Sequence, residues 1–217
     1  MPHEIFAPEK FLDLSKSLSA PFFAENQPVW EVLARLEAEI WNLGRTLPSD
    51  YAEKEPGVWI HKTAKVHPSA VILPPAIIGP GSELRPGCYI RGAVLLGEGT
   101  VAGNSTEMKN AILFDGAKAP HYNYIGDSIL GANSHMGAGA ILSNLRLDGA
   151  NVVVHFEGKR FPTGLRKFGA ILGDDAQLGC NSVCNPGTIL GRGAYVYPLV
   201  NASGVIAPGA RLKGATR

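Results

Sequence analysis

Residues 60–114 read IHKTAKVHPSAVILPPAIIGPGSELRPGCYIRGAVLLGEGTVAGNSTEMKNAILF. Stepping by six from Ile60 meets Val66, Ile72, Ile78, Leu84, Ile90, Leu96, Ala102, Met108 and Phe114, all of them apolar. At 45% apolar content, ten such residues in a row arise by chance about once in 3,000 trials, so the period carries information. Four residues after each beat comes a small or short side chain: Ala64, Ala70, Ala76, Ser82, Cys88, Val94, Thr100, Thr106 and Ile112, until Lys118 breaks the pattern. Turn formers such as Pro68, Pro74, Pro80, Gly81, Pro86, Gly87 and Gly92 fill the intervals. A second series runs through Leu130, Met136 and Leu142, then Leu172, Leu178, Cys184, Leu190, Val196 and Ala202. Both halves of this series share one phase, so residues 143–171 are an excursion that returns the chain to register. Between the two series lies KAPHYNYIGD, residues 118–127, where the beat is expected to break and display His121, Tyr122 and Tyr124.

An apolar beat of six with a small residue at the fourth position is the hexapeptide pattern of a parallel β-helix, three hexads to a triangular coil. The expected fold is all-β: a single-stranded left-handed parallel β-helix, an exception to right-handed crossovers. A β-sandwich would need no fixed period. The helix domain is expected over residues 56–217, preceded by an N-terminal helical or capping segment over 1–55. In that segment PVWEVLARLEAEIWNL, residues 28–43, places Trp30, Leu33, Leu36, Ile40 and Leu43 at helical spacing. Within the excursion NVVVHF, EGK and RFPTG read as a β-hairpin carrying His155.

Composition narrows the partners. Lys plus Arg is 20 against 19 for Asp plus Glu, which gives no global field to recruit nucleic acid or an acidic membrane. Three cysteines, Cys88, Cys180 and Cys184, are too few for a disulfide framework and suggest a reducing compartment. The start MPHEIFAPEK lacks a signal-peptide core, and no apolar run reaches the ~20 residues of a membrane span. The expected location is the cytoplasm, with no membrane partner.

Residues 105–144, STEMKNAILFDGAKAPHYNYIGDSILGANSHMGAGAILSN, resemble the glucosamine-1-phosphate N-acetyltransferase domain of the bifunctional bacterial enzyme that makes UDP-N-acetylglucosamine. The shared pieces are Glu107–Lys109, the run from Gly116 to Asp127, Gly137-Ala138-Gly139 and Asn144; further on, RKFGAILGDD at 166–175 is similar to that family's return to the helix. The resemblance implies an acetyltransferase that uses acetyl-CoA as co-substrate, takes an amino-sugar phosphate or amino-sugar nucleotide as acceptor, and assembles as a homotrimer with its groove between subunits. It implies His121 as general base, Lys109 and Tyr124 as phosphate or sugar contacts, Asn144 near both thioester and acceptor amide, and Lys167 closing the site from a neighbouring subunit. Ala138 would present backbone to the acyl donor. Cys180 stands where the family has a serine near coenzyme A, and His135 where it has an acceptor-binding asparagine. The family's arginine belongs to an Arg-Pro-Gly motif, here Arg85-Pro86-Gly87, yet it lies one coil before the lysine, which here is Arg91. The coil arithmetic selects Arg91.

The chemistry suits these residue types. Attack on a thioester needs a neutral amine, so a base titrating near neutrality must accept the amine proton. O-acyl transfer uses the same base, and the residues leave it open. No glycine-rich nucleotide fingerprint stands before residue 56, which disfavours uridyl transfer by this chain and leaves room for a separate nucleotidyltransferase partner. The alternative is a non-catalytic sugar-nucleotide-sensing or scaffolding subunit of such an enzyme. A zinc site is not expected: His61 and His67 lie six apart on successive walls, and His121 with His135 lacks a third ligand. None of the cysteines has the neighbours of a nucleophile, and Cys88 and Cys184 fall on core positions.

Overall fold

The computed structural model describes residues 2–214, with side chains from Glu4. Short parallel rungs stack into the three walls of a triangular β-solenoid. Wall A comprises Val58–His61, Ala76–Ile78, Val94–Leu96, the second halves of Glu107–Leu113 and Tyr124–Leu130, then Ala170–Leu172, Thr188–Leu190 and Val205–Ile206. Wall B runs from Lys65–Val66 through Val101–Asn104, Lys118–His121 and His135–Met136 to Arg211–Leu212. Wall C holds Val71–Ile72, Tyr89–Ile90, the first halves of the two long strands, then Ile141–Leu142, Val183–Cys184 and Asn201–Ala202. Inward-pointing side chains such as Ile78, Leu84, Ile90, Leu96, Ala102 and Met108 are buried in a continuous core, joined on wall A by the smaller Ala76 and Val94. Full burial of each such aliphatic side chain contributes about 1.5–3 kcal/mol.

The register corrects the sequence reading at one point. The first coils are 18 residues long, with Ala76 beside Val94 and Glu83 beside Val101. The next two are 17, with Val94 beside Ala111 and Glu107 beside Tyr124. The inward residues are therefore Leu113 after Met108 and Leu130 after Ile125, steps of five. Phe114, counted as a beat, lies instead in a second apolar cluster outside the prism. The stretch 118–127 keeps step, with Ala119 and Ile125 in the core. The shortening occurs at the corner between walls C and A. There the earlier coil uses two positive-φ residues, Gly92 and Ala93, whereas the shorter coils use Asn110 (φ 49°) and Asp127 (φ 47°) alone. Asn and Asp tolerate that conformation better than most side chains.

Wall A is also apolar on its outer face. Ile77, Leu95, Ile112, Ile129, Ile171 and Ile189 point outward and are completely buried. The N-terminal segment covers them with Phe6, Leu12, Phe22, Trp30, Leu33, Leu36 and Ile40. The helical stretch is shorter than its spacing suggests: a 3-10 turn spans Glu31–Ala34 and the α-helix spans Leu36–Gly44. Arg35 separates them at φ −123°, its guanidinium bound to the Phe22 carbonyl, Gln27 and Glu39. The segment runs along wall A, while Tyr51–Glu55 pairs antiparallel with Val58–His61 over the first rung. That exposed edge strand carries Glu53, Lys54 and Glu55, charges that discourage edge-to-edge pairing.

The excursion forms the expected hairpin, Val153–Phe156 against Lys159–Pro162, turning at Glu157-Gly158. It folds back on the outside of the solenoid, where Phe156 and Phe161 pack edge-on to Phe6 and Val152 and Val154 join the outer cluster. Wall A is thus covered by the chain itself.

Candidate active site

The corner between walls B and C repeats a two-residue turn whose second residue has positive φ: Gly87, Ser105, Tyr122, Gly139 and Asn181. Their partners form a column, linked rung to rung as Tyr122 N–H donates to Asn104 O (2.8 Å), Gly139 N–H to His121 O (3.0 Å) and Asn181 N–H to Ala138 O (2.8 Å). Asn104, His121, Ala138 and Cys180 therefore stack along one corner, which brings together the expected base and the two expected donor contacts. His121 is exposed, and no hydrogen bond engages its ring among the described residues. Its backbone is held by Asn123, a buried side chain outside the expected site residues. Asn123 Oδ1 accepts from His121 N–H (3.1 Å), and its Nδ2 donates to Gly137 O (2.8 Å) and Ala140 O (3.2 Å). The corner thus presents the imidazole from a fixed main chain. Ala138 N–H has no acceptor among the described residues.

Wall C gathers the other candidates. Glu107 lies between Tyr89 and Tyr124 in register, and Lys109 sits beside Gly126. Arg91 N–H donates to Met108 O (2.8 Å), which places Arg91 one rung before Lys109. Arg85 is on wall B, paired with Glu83 at 3.1 Å, so the register agrees with the choice of Arg91. Arg91 binds Glu107 at 2.6 Å and lies over the Tyr89 ring. Lys109 is half-buried, and its amine has no partner among the described residues. Burial, followed by the Glu107 charge, raises the Tyr124 phenol above its ordinary value.

Asn144 occupies the opposite corner of wall C. It is buried, and its Nδ2 donates to Asp127 Oδ2 at 2.5 Å. Asn110 Nδ2 donates to the other oxygen of Asp127 at 2.9 Å. These three residues stand 17 apart in one column, and neither Asp127 nor Asn110 was singled out by sequence. Lys167 is exposed, and its backbone bridges Leu145 of the same chain beside Asn144. His135 lies on wall B next to Lys118 in register. Burial, then the Lys118 and His121 charges, lowers its pKa below the ordinary histidine value. The excursion adds two grooves of about 440 and 500 Å³, both lined by Arg146 and Pro186, the second also by Ser143 and Asn185.

Other groups are structural. His61 and His67 each accept or donate within a local turn, to Thr63 and Ser69. Cys88 and Cys184 are buried and their thiols are pushed up to about 11 and about 12, while Cys180 is exposed. Among the described residues no group of three or more His, Cys, Asp or Glu is arranged to hold a metal, and no helix is long and apolar enough to cross a membrane.

Parts of the chain are similar to known families and proteins. Residues 57–92 match the family described as bacterial transferase hexapeptide (six repeats), and residues 75–158 match the GMPPB C-terminal domain. The bifunctional sugar-1-phosphate nucleotidylyltransferase/acetyltransferase of Sulfurisphaera tokodaii is 38% identical over 104 residues, 48% of this chain and 26% of its own length. The bifunctional protein GlmU of Methanococcus maripaludis is 40% identical over 102 residues, 47% of this chain and 25% of its own. GlmU of Stutzerimonas stutzeri is 43% identical over 100 residues, 46% and 18% respectively. The chain spans about a quarter or less of these relatives. Among solved structures, a GDP-perosamine N-acetyltransferase variant from Caulobacter crescentus with coenzyme A and GDP-perosamine is 18% identical, with a TM-score of 0.42 over 72% of this chain and 56% of that one. Residues 57–92 are thus similar to hexapeptide-transferase repeats, and about half of the chain is similar to part of bifunctional nucleotidylyltransferase/acetyltransferases.

Proposed function

We propose that this chain is an acyl-CoA-dependent acyltransferase that moves the acetyl group of acetyl-CoA to the amine of an amino-sugar phosphate or amino-sugar nucleotide. The observation that carries the reading is the pair of clusters flanking one stretch of wall C. His121, with a free ring, stands at one corner, while Lys109, Arg91, Tyr124 and Asn144 line the face beyond it. Two cations and a phenol suit a phosphate group, and a free imidazole suits the amine.

The reaction follows from those placements. The amine nitrogen attacks the thioester carbonyl while the His121 ring accepts its proton. The carbonyl oxygen gains charge, and the unengaged Ala138 N–H is the donor that would stabilise it. Collapse expels the coenzyme A thiolate, which recovers the proton from His121. No covalent enzyme intermediate is needed. The acyl donor would run along the corner past Ala138 and Cys180. His135 and Lys167 would contact the acceptor, and burial favours the neutral form of the His135 ring. Glu107 now holds Arg91, so an acceptor phosphate competes with it for the guanidinium. The solenoid would be left-handed and trimeric, with walls B and C meeting neighbouring copies, and residues 1–55 a flanking segment of a cytoplasmic enzyme.

A second reading has one observation behind it. Val71, Leu73 and Tyr89 are exposed on wall C of the first coils, a surface for docking a separate nucleotidyltransferase chain. In that reading the protein senses a sugar nucleotide without turnover. Release of free thiol from acetyl-CoA, measured with glucosamine-1-phosphate, an amino-sugar nucleotide and their hydroxyl analogues, decides between them. Turnover with an amine acceptor is expected. Binding of the sugar nucleotide without thiol release would move the function to the sensing subunit.

A further inference from the structure

We infer, resting on the acceptor reading above, that the acceptor is an amino-sugar nucleotide rather than a sugar monophosphate. Its nucleoside lies in the groove floored by Ser143 and Asn185, and its diphosphate crosses the bare strip at Gly126 between Lys109 and Lys167.

The outer face of wall C sets the path. Lys109 pairs with Gly126, Ile125 with Leu142 and Leu142 with Cys184, and Ser143 N–H donates to Cys184 O (3.0 Å). Lys109, Gly126, Ser143 and Asn185 therefore follow one another along one edge of the wall, three rung steps that cover about 14 Å at the ~4.8 Å spacing of neighbouring strands. A sugar monophosphate held at Lys109 and Tyr124 leaves the far end of this column empty. That far end is a groove of about 500 Å³, with Ser143, Val183 and Asn185 on the wall and Leu145, Arg146 and Leu147 contributed by the start of the excursion. Clefts that hold small ligands run roughly 300–1,000 Å³.

The groove itself carries no net charge. Arg146 and Asp148 offset each other in a bidentate pair, at 2.9 and 2.6 Å. Ser143 Oγ has no partner among the described residues, and Asn185 gives its Nδ2 to Asn201 Oδ1 (2.7 Å) while its own Oδ1 has none. Leu145 is exposed and Leu147 fully so. A hydroxyl, an amide oxygen, a guanidinium plane and two uncovered leucines suit a ribose and a base, which bring hydroxyl and base-edge groups to bond and a flat face to pack. The charge lies on the path to the groove. The Lys109 and Lys167 amines have no partner among the described residues, Lys167 is bridged through its backbone to Leu145, and Gly126 sets no side chain in the way. Two free amines match two phosphates by charge-assisted hydrogen bonds. Ala138 and Cys180 occupy the opposite edge of wall C, so the acyl donor and the nucleoside do not compete for space.

Calorimetric titration with UDP, GDP, CDP and dTDP reads the groove without the sugar, and excess coenzyme A keeps these probes out of the donor corner. At least one of the four is expected to bind the wild type, and to bind about 5- to 10-fold more weakly in Leu147→Ser and in Asn185→Ala. Leu147 is fully exposed, so its replacement leaves the fold intact, and a thermal unfolding profile recorded for each variant checks this. Failure to bind any of the four, or equal affinity in the wild type and both folded variants, overturns the proposal. Thiol release from acetyl-CoA, measured on the same protein with glucosamine-1-phosphate and with amino-sugar nucleotides, separates the two readings. Turnover of glucosamine-1-phosphate without nucleotide binding overturns this inference alone. Nucleotide binding without turnover of any amino-sugar acceptor overturns both.

Discussion

Replacing Asn123 with alanine should loosen the corner that presents His121, by an amount the contacts allow to be worked out. The side chain is 2% exposed and makes three bonds. Gly137 O and Ala140 O would each keep a backbone donor, Ala140 N–H at 3.1 Å and Tyr124 N–H at 3.4 Å, so their loss is modest. His121 N–H would lose its acceptor outright. A donor orphaned at this part-buried corner costs at most about 1–3 kcal/mol, and the shared carbonyls add about 1 kcal/mol together. A total of about 2–4 kcal/mol in a chain of this size lowers Tm by roughly 5–12 °C. The rate should fall further than stability suggests, because misplacing a catalytic group by about 1 Å can cost about 10²-fold. Differential scanning calorimetry and thiol release together read both effects. Asn123→Asp should not rescue, since it restores the acceptor but sets a carboxylate against two carbonyl oxygens. An alanine variant with wild-type Tm and rate would refute the claim that Asn123 holds the corner.

Trp30→Ala should destabilise by about 3–5 kcal/mol, as it removes a fully buried ring packed 4.9 Å from Phe6 and 6.0 Å from Phe168; chemical denaturation measures it. His135, whose pKa is lowered on folding, binds protons more weakly in the folded chain than in the unfolded one. Its stability contribution is full above pH 6.5 and is lost as pH falls through its lowered pKa, so His135→Gln should flatten that part of the stability–pH profile. Cys180 is the exposed thiol, so native alkylation should label it before Cys88 or Cys184, and acetyl-CoA should slow the labelling.

The solenoid was legible because its period is constant and each coil repeats the same physical demand, one inward apolar residue and one small corner residue. The shortened coils were hidden because Phe114 is apolar for another reason, its burial in the outer cluster. The covered wall had a signal that went unused: the triplets VWI, AII, VLL, AIL, SIL, AIL and TIL place an apolar residue at the outward middle position of rung after rung. Such a position stays apolar along the wall only if something covers it. At the site, Arg91 was reachable by coil arithmetic because that coil is still 18 residues long. Asp127 and Asn110 were not, because their alignment with Asn144 depends on the 17-residue step. The holding role of Asn123 was not legible because it lies in the main-chain groups the side chain binds, which side-chain chemistry does not announce.

The most direct measurement of the central claim is acetyl-CoA turnover with glucosamine-1-phosphate, followed as free thiol, for the wild type and His121→Ala. The exposed, unpartnered ring can be removed without disturbing the fold. The account predicts wild-type turnover and a loss of about 10²–10⁴-fold in the variant. Equal rates in the two proteins would contradict it, and would remove His121 from the chemistry.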